Sequence, residues 1–176
     1  MDQAPRVLID RARISARVDE LARRISADHA AAGELLLVGV LRGAFIFLAD
    51  LARALTVPCS VDFIALASYT GGSHVPGDVR LLMDLRVNVA GRHVLVVEDI
   101  VDSGRTLAYL VALLRARGAA GVRTCVLTRK VRRSQPAVAV DYLGFELPDQ
   151  WVVGYGLDFN DRYRTLPDIC VFDAGT

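Results

Sequence analysis

Two stretches leave this chain little choice of fold. Glu34 to Leu41 reads ELLLVGVL, and Val94 to Val97 follows His93 as an unbroken apolar run. Neither alternates polar with apolar. A strand with one face in water alternates, whereas an unbroken run of this length belongs to a strand covered on both faces, as in a parallel sheet wrapped by helices. Each run is followed by a short polar segment with a glycine and then by a helical pattern. The first spans about Ala44 to Leu55. The second spans Thr106 to Arg117, with Leu107, Leu110, Val111 and Leu114 on one face and Gly118 as the stop. Residues 11 to 31 read as an amphipathic helix through Ile14, Val18, Leu21 and Ile25. Further strands are expected at Ser60–Ser68 and Val122–Thr128. Tyr142–Leu147 and Val152–Gly154 look like short strands around Pro148, and Asp168–Phe172 closes the chain. Strand and helix in alternation give an α/β class: a doubly wound, mostly parallel sheet with right-handed crossovers, formed by residues 1–176 as a single domain.

Composition removes several functions. The chain has 21 Lys plus Arg against 20 Asp plus Glu, so it lacks the basic excess of a general nucleic-acid binder. Leu35 to Leu55, its most apolar region, is interrupted by Arg42 and Asp50 and is too broken to span a membrane. The opening MDQAPRVLIDRARI has no apolar core of a secretory signal. Cys59, Cys125 and Cys170 stand far apart without metal-ligand spacing; they read as free thiols in a reducing, cytoplasmic setting. His29, His74 and His93 share no spacing and are assigned neither metal nor catalysis.

The chemistry concentrates in VLVVEDIVDSGRT, Val94 to Thr106. In open α/β sheets ligands sit beyond the carboxyl ends of the strands, and this strand ends in Glu98 and Asp99. Asp102-Ser103-Gly104-Arg105-Thr106 then opens a helix. Backbone N–H groups at a helix start make a phosphate cradle. Gly104 permits close approach, and Ser103 and Thr106 add hydroxyl donors. The two acids before the cradle suit hydroxyls or a hard cation. Together they describe a site for a sugar phosphate. Neither G-x-x-x-x-G-K-[ST] nor a G-x-G-x-x-G after a strand is present.

Val96 to Thr106 resembles the phosphoribosyl-diphosphate-binding motif of the type I phosphoribosyltransferases. Its Glu-Asp pair with the following Asp-Ser-Gly is similar to the hypoxanthine-guanine branch. The likeness extends to GVLRGA (Gly39–Ala44), Ser68-Tyr69, Lys130, VVGYGLD (Val152–Asp158) and Arg164, nearly the whole chain. It implies a central, mostly parallel sheet flanked by helices, with a small hood from the N- and C-terminal segments. It also implies transfer of a 5-phosphoribosyl group from 5-phosphoribosyl 1-diphosphate to hypoxanthine or guanine, in purine salvage, with Mg²⁺ as cofactor.

Carried over residue by residue, the resemblance gives each position a role. Glu98 and Asp99 hold the ribose hydroxyls and meet Mg²⁺. Asp102, Ser103, Gly104, Arg105 and Thr106 hold the 5′-phosphate. Asp102 also reaches the purine as general acid or base. Leu41, Arg42 and Gly43 form the pyrophosphate loop, often with a non-proline cis peptide; many relatives have lysine where this chain has Arg42. Lys130 donates to the purine 6-oxo group, Trp151 stacks on the base, and the Val152 backbone reads its edge. Asp158 binds a second Mg²⁺ and Arg164 reaches pyrophosphate. Ser68 and Tyr69 begin a lid over Tyr69–Val79. Relatives are homodimers or homotetramers.

Simpler readings compete for single residues. Trp151 alone belongs to a core more often than to a stacking platform. Asp158 alone would be a solvated loop acid, and Arg129–Arg133 a solvated charge run or a small nucleic-acid patch. Tyr163 reads as packing. Lys130 stands out as the one lysine beside 20 arginines. A regulator on the same fold, binding nucleotide and RNA, is the alternative from another class; Glu98-Asp99, Lys130 and a net charge of +1 favour the enzyme. Xanthine stays open as a base, since Lys130 serves any 6-oxopurine.

Overall fold

The computed structural model describes residues 4–68, 79–131 and 139–172. In chain order these form β1 (Arg6–Ile9), α1 (Arg11–Asp28), β2 (Leu35–Leu41), α2 (Phe45–Ala54), β3 (Cys59–Ser68), β4 (Val79–Met83), β5 (His93–Val101), α3 (Arg105–Ala116), β6 (Gly121–Lys130), β7 (Tyr142–Leu147), β8 (Val152–Val153) and β9 (Ile169–Val171). Six strands make the main sheet in the order β4-β3-β2-β5-β6-β7; all neighbours are parallel except the β3–β4 pair.

The unbroken apolar runs sit where both faces are covered. Leu35, Leu37, Leu95, Val97, Cys125 and Leu127 point to one face, packing with Ile14, Leu21 and Ile25 of α1 and Phe47 and Leu51 of α2. Leu36, Val38, Val94, Val96 and Val126 point to the other, against Leu107, Leu110 and Leu114 of α3. This is the period of two of a strand with two buried faces. Gly39 interrupts β2 because α2 lies close; a Cβ there would come within 2.6 Å of Leu48 Cδ2. α1 ends at Asp28, short of the expected residue 31, and begins under an Asp10 cap that accepts from the Arg13 N–H at 2.9 Å.

β1 has no counterpart in the sequence reading. It pairs antiparallel with β9, which pairs with β8, and the three strands form a second small sheet. Val153, Cys170 and Phe172 are its core, with Phe159, Tyr163 and Leu166 packed against them. The expected hood from the chain's two ends is this sheet. Tyr163 does pack, its ring 5.3 Å from that of Phe172.

Candidate active site

β2, β5 and β6 end at the same edge of the sheet, so the loops after them converge. After β5, Asp102 and Ser103 lead to Gly104, whose φ of +75° starts α3. A left-handed φ is cheap for glycine and costly for most other residues. Glu98, Asp102, Ser103, Gly104 and Thr106 line a polar cavity of about 220 Å³ at this helix start. Arg105 is exposed beside it.

A second cavity of about 450 Å³ adjoins it, lined by Asp99, Asp102, Lys130, Trp151, Val152 and Asp158 among others. Ile100 and Asp102 line both cavities. Lys130, at the end of β6, has its Nζ 3.3 Å from an Asp149 carboxylate oxygen and 5.4 Å from the Trp151 ring centroid. Trp151 is 60% exposed, which makes it an open platform rather than a core residue; Phe159 braces it edge-on at 6.0 Å. Val152 is buried as the first residue of β8.

Glu98 and Asp99 are adjacent on β5 and therefore point to opposite faces. Glu98 follows Val94 and Val96 toward α3 and lines the smaller cavity. Asp99 follows Leu95 and Val97 and lines the larger one. Both carboxyls are lifted above their ordinary range. Burial, then the neighbouring Asp99 charge, pushes Glu98 up to about 8. Burial likewise pushes Asp99 up to about 6, opposed by backbone N–H donors and the Arg164 charge. Glu98 Oε2 is buried with no hydrogen-bond partner among the described residues. Thr128, fully buried, donates its hydroxyl to the Asp99 carbonyl at 2.8 Å and ties β6 to this corner.

The Leu41–Arg42 peptide is cis. Gly43 follows it against Asp99, and Gly156 packs on the Gly43 carbonyl so closely that neither position has room for a Cβ. Arg42 reaches across to Asp161 at 2.6 Å. Arg164 pairs with Asp158 at 2.8 Å and with the same Asp161 oxygen at 3.0 Å, and donates to the Gly156 carbonyl at 2.8 Å.

This architecture and its loop sequences match the phosphoribosyl transferase domain family over residues 8–160. The chain belongs to that family. The hypoxanthine phosphoribosyltransferase of Salmonella typhimurium is 44% identical over 168 residues, 95% of this chain and 94% of that protein. The hypoxanthine-guanine phosphoribosyltransferase of Mycobacterium tuberculosis is 44% identical over 172 residues, 95% of this chain and 85% of that protein. Among solved structures, a lysine-to-arginine mutant of the Trypanosoma cruzi hypoxanthine phosphoribosyltransferase, in a ternary complex with substrates, superposes with a TM-score of 0.89 at 40% identity. That match covers 96% of this chain and 95% of the other.

As a phosphoribosyltransferase the chain brings most of its expected site residues together: Leu41 to Gly43, Glu98, Asp99, Asp102 to Thr106, Lys130, Trp151, Val152, Asp158 and Arg164 border two adjoining cavities or the loops that close on them. Glu98, Asp99 and Asp158 are not gathered around one point, and no cluster of three or more His, Cys, Asp or Glu side chains forms a metal cage among the described residues. The reason is the strand: neighbours at 98 and 99 face apart. The donors are all hard carboxylate oxygens, which fits Mg²⁺ held by one or two side chains with substrate oxygens completing its shell. Ser68 ends β3, while the expected lid from Tyr69 through residue 78 lies outside the described residues and Val79 already belongs to β4. Asp161 and Thr128 carry no functional expectation from the sequence, and Gly156 enters it only as part of VVGYGLD. The spacing Asp158, Asp161, Arg164 was the available signal for the first.

Proposed function

We propose that this chain transfers the 5-phosphoribosyl group from 5-phosphoribosyl 1-diphosphate to hypoxanthine or guanine, yielding IMP or GMP and pyrophosphate in purine salvage. The observation that carries the reading is Asp102, which lines both cavities: the one at the helix start suited to a 5′-phosphate and the one under Lys130 and Trp151 suited to a base. The glycosidic bond would form at that seam.

The proposal assigns a residue to each part of the reaction. The 5′-phosphate would take N–H and hydroxyl donors from Ser103, Gly104, Arg105 and Thr106, where the helix start adds its dipole. The base would lie on Trp151, with the Lys130 ammonium donating to its 6-oxo oxygen and the Val152 backbone at its edge. Asp102 would accept the proton the purine loses as its ring nitrogen bonds to the sugar. The departing pyrophosphate carries negative charge that Arg42 and Arg164 would hold. Bound Mg²⁺, held by Asp99 or Asp158 with substrate oxygens, would neutralise charge on the diphosphate. Its site fits on donor chemistry alone.

The remaining expectations belong to the same proposal. Cys59, Cys125 and Cys170 are free thiols, which suits a reducing cytoplasm, and no helix among the described residues is long and apolar enough to cross a membrane. Val61, Leu82, Met83 and Val87 are exposed apolar residues around the β3–β4 side and would suit a homodimer or homotetramer contact.

Assaying hypoxanthine, guanine, xanthine and adenine with 5-phosphoribosyl 1-diphosphate and Mg²⁺ tests the base assignment. Turnover confined to 6-oxopurines supports it, and a preference for adenine rejects it.

A further inference from the structure

Asp161 was given no role above, yet it is where two parts of the site meet. Its Oδ1 accepts from Arg42 Nη2 at 2.6 Å and from Arg164 Nη2 at 3.0 Å. Arg42 comes from the loop after β2, and Arg164 from the segment before β9, so this one oxygen bridges segments far apart in sequence. Two guanidiniums converging on a single anionic oxygen is also how a phosphate oxygen is held.

The local backbone fixes the aim of this carboxylate. Asn160 and Asp161 have φ values of +51° and +60°, and Phe159 and Arg162 exchange both backbone hydrogen bonds, at 3.2 and 3.1 Å. That is a two-residue hairpin of the kind requiring positive φ at both central positions, which Asn and Asp tolerate better than other side chains. The Asp161 N–H donates to Asp158 Oδ2 at 2.8 Å, anchoring the turn to the residue that also holds Arg164. The side chain itself is 60% exposed, so an incoming anion can reach and displace it.

We propose that Asp161 is a built-in stand-in for pyrophosphate: its carboxylate holds Arg42 and Arg164 together while the subsite is empty and competes with the diphosphate for them. The proposal rests on the reading that these two arginines bind pyrophosphate. A ligand shifts such an exchange only by its differential affinity, so every substrate diphosphate must displace a competitor that is always present. The same competitor helps pyrophosphate leave. Asp161 is thus a positioning residue that tunes product release rather than a catalytic one.

The test is calorimetric titration with magnesium pyrophosphate and, separately, with IMP, on the wild type, Asp161→Asn and Asp161→Gly. Both replacements suit a left-handed backbone, so the turn is retained, and thermal melting checks that it is. Removing the competing charge should tighten pyrophosphate binding by about three- to tenfold, the scale expected for exchanging two exposed ion pairs. IMP, whose phosphate belongs at the α3 start, should bind as before. Asp161→Glu should restore much of the wild-type value. If pyrophosphate binds the wild type but both variants bind it equally well or more weakly, Asp161 is a spectator or an organiser, and the stand-in idea is wrong while the proposed function stands. If the wild type binds no pyrophosphate, both fall together.

Discussion

The carboxylate of Asp99 occupies the space a side chain at Gly43 would need: a Cβ built there would overlap Asp99 Oδ2. The loop after β2 and the acid at the end of β5 are therefore fitted to each other through the absence of one atom. Gly43→Ala must push Asp99 aside or open the loop that carries Arg42. A displacement near 1 Å at a reacting centre costs on the order of a hundredfold in rate. We expect kcat/KM for 5-phosphoribosyl 1-diphosphate to fall by about that factor while the melting temperature changes little. Near wild-type kinetics would show that Asp99 can move without consequence.

The buried Glu98 carboxyl gives the ligand-free protein a pH dependence. Its folded pKa, about 8, lies above the ordinary value of 4.5, so the folded state binds the proton more tightly than the unfolded state does. The resulting stabilisation is fully present below about pH 4.5 and declines as pH rises until the folded pKa is passed. Melting without ligand should show stability falling from pH 5 to pH 8 through this residue, and Glu98→Gln, which keeps the shape but cannot ionise, should flatten that slope. An unchanged slope in the variant would assign the effect elsewhere.

Asp102 borders both cavities, and its replacement separates chemistry from binding. Asp102→Asn keeps the loop's size and removes the proposed proton acceptor. The turnover number should drop about 10²- to 10⁴-fold, with much smaller change in 5-phosphoribosyl 1-diphosphate affinity. Measured rates within a fewfold of wild type would leave Asp102 as a former of the loop only.

Lys130 sits near Asp149 and the Trp151 ring with its side chain 13% exposed, in the lining of the proposed base cavity. A hydrogen bond from a charged donor contributes roughly 1.5–3 kcal/mol. Lys130→Ala should therefore weaken use of hypoxanthine and guanine by about tenfold to a few hundredfold. Adenine, with an amino group at that position, should gain relative to them. Steady-state kinetics with all three bases decides; an equal loss on every base would make Lys130 structural.

What could be read from the sequence followed from local rules. The unbroken runs at β2 and β5 announced a sheet covered on both faces, and Gly104 before an apolar helix announced the turn that starts α3. β1 was not legible: RVLI is four residues beside charged neighbours, and its partner β9 lies at the other end of the chain. The divergence of Glu98 and Asp99 follows from the period of two along β5, but treating them as one carboxylate pair hid it. The meeting of Arg42 with Asp161 could not be read at all, because 119 residues separate them and their loops meet through tertiary packing such as that of Gly156 on Gly43.

The most direct measurement quantifies products. The purified chain is incubated with hypoxanthine, 5-phosphoribosyl 1-diphosphate and Mg²⁺, and IMP and pyrophosphate are followed together by chromatography. The account predicts that both appear in equal amounts, at a rate that vanishes when the base is omitted. Consumption of the diphosphate to ribose 5-phosphate without IMP, or no reaction with any 6-oxopurine, would contradict it.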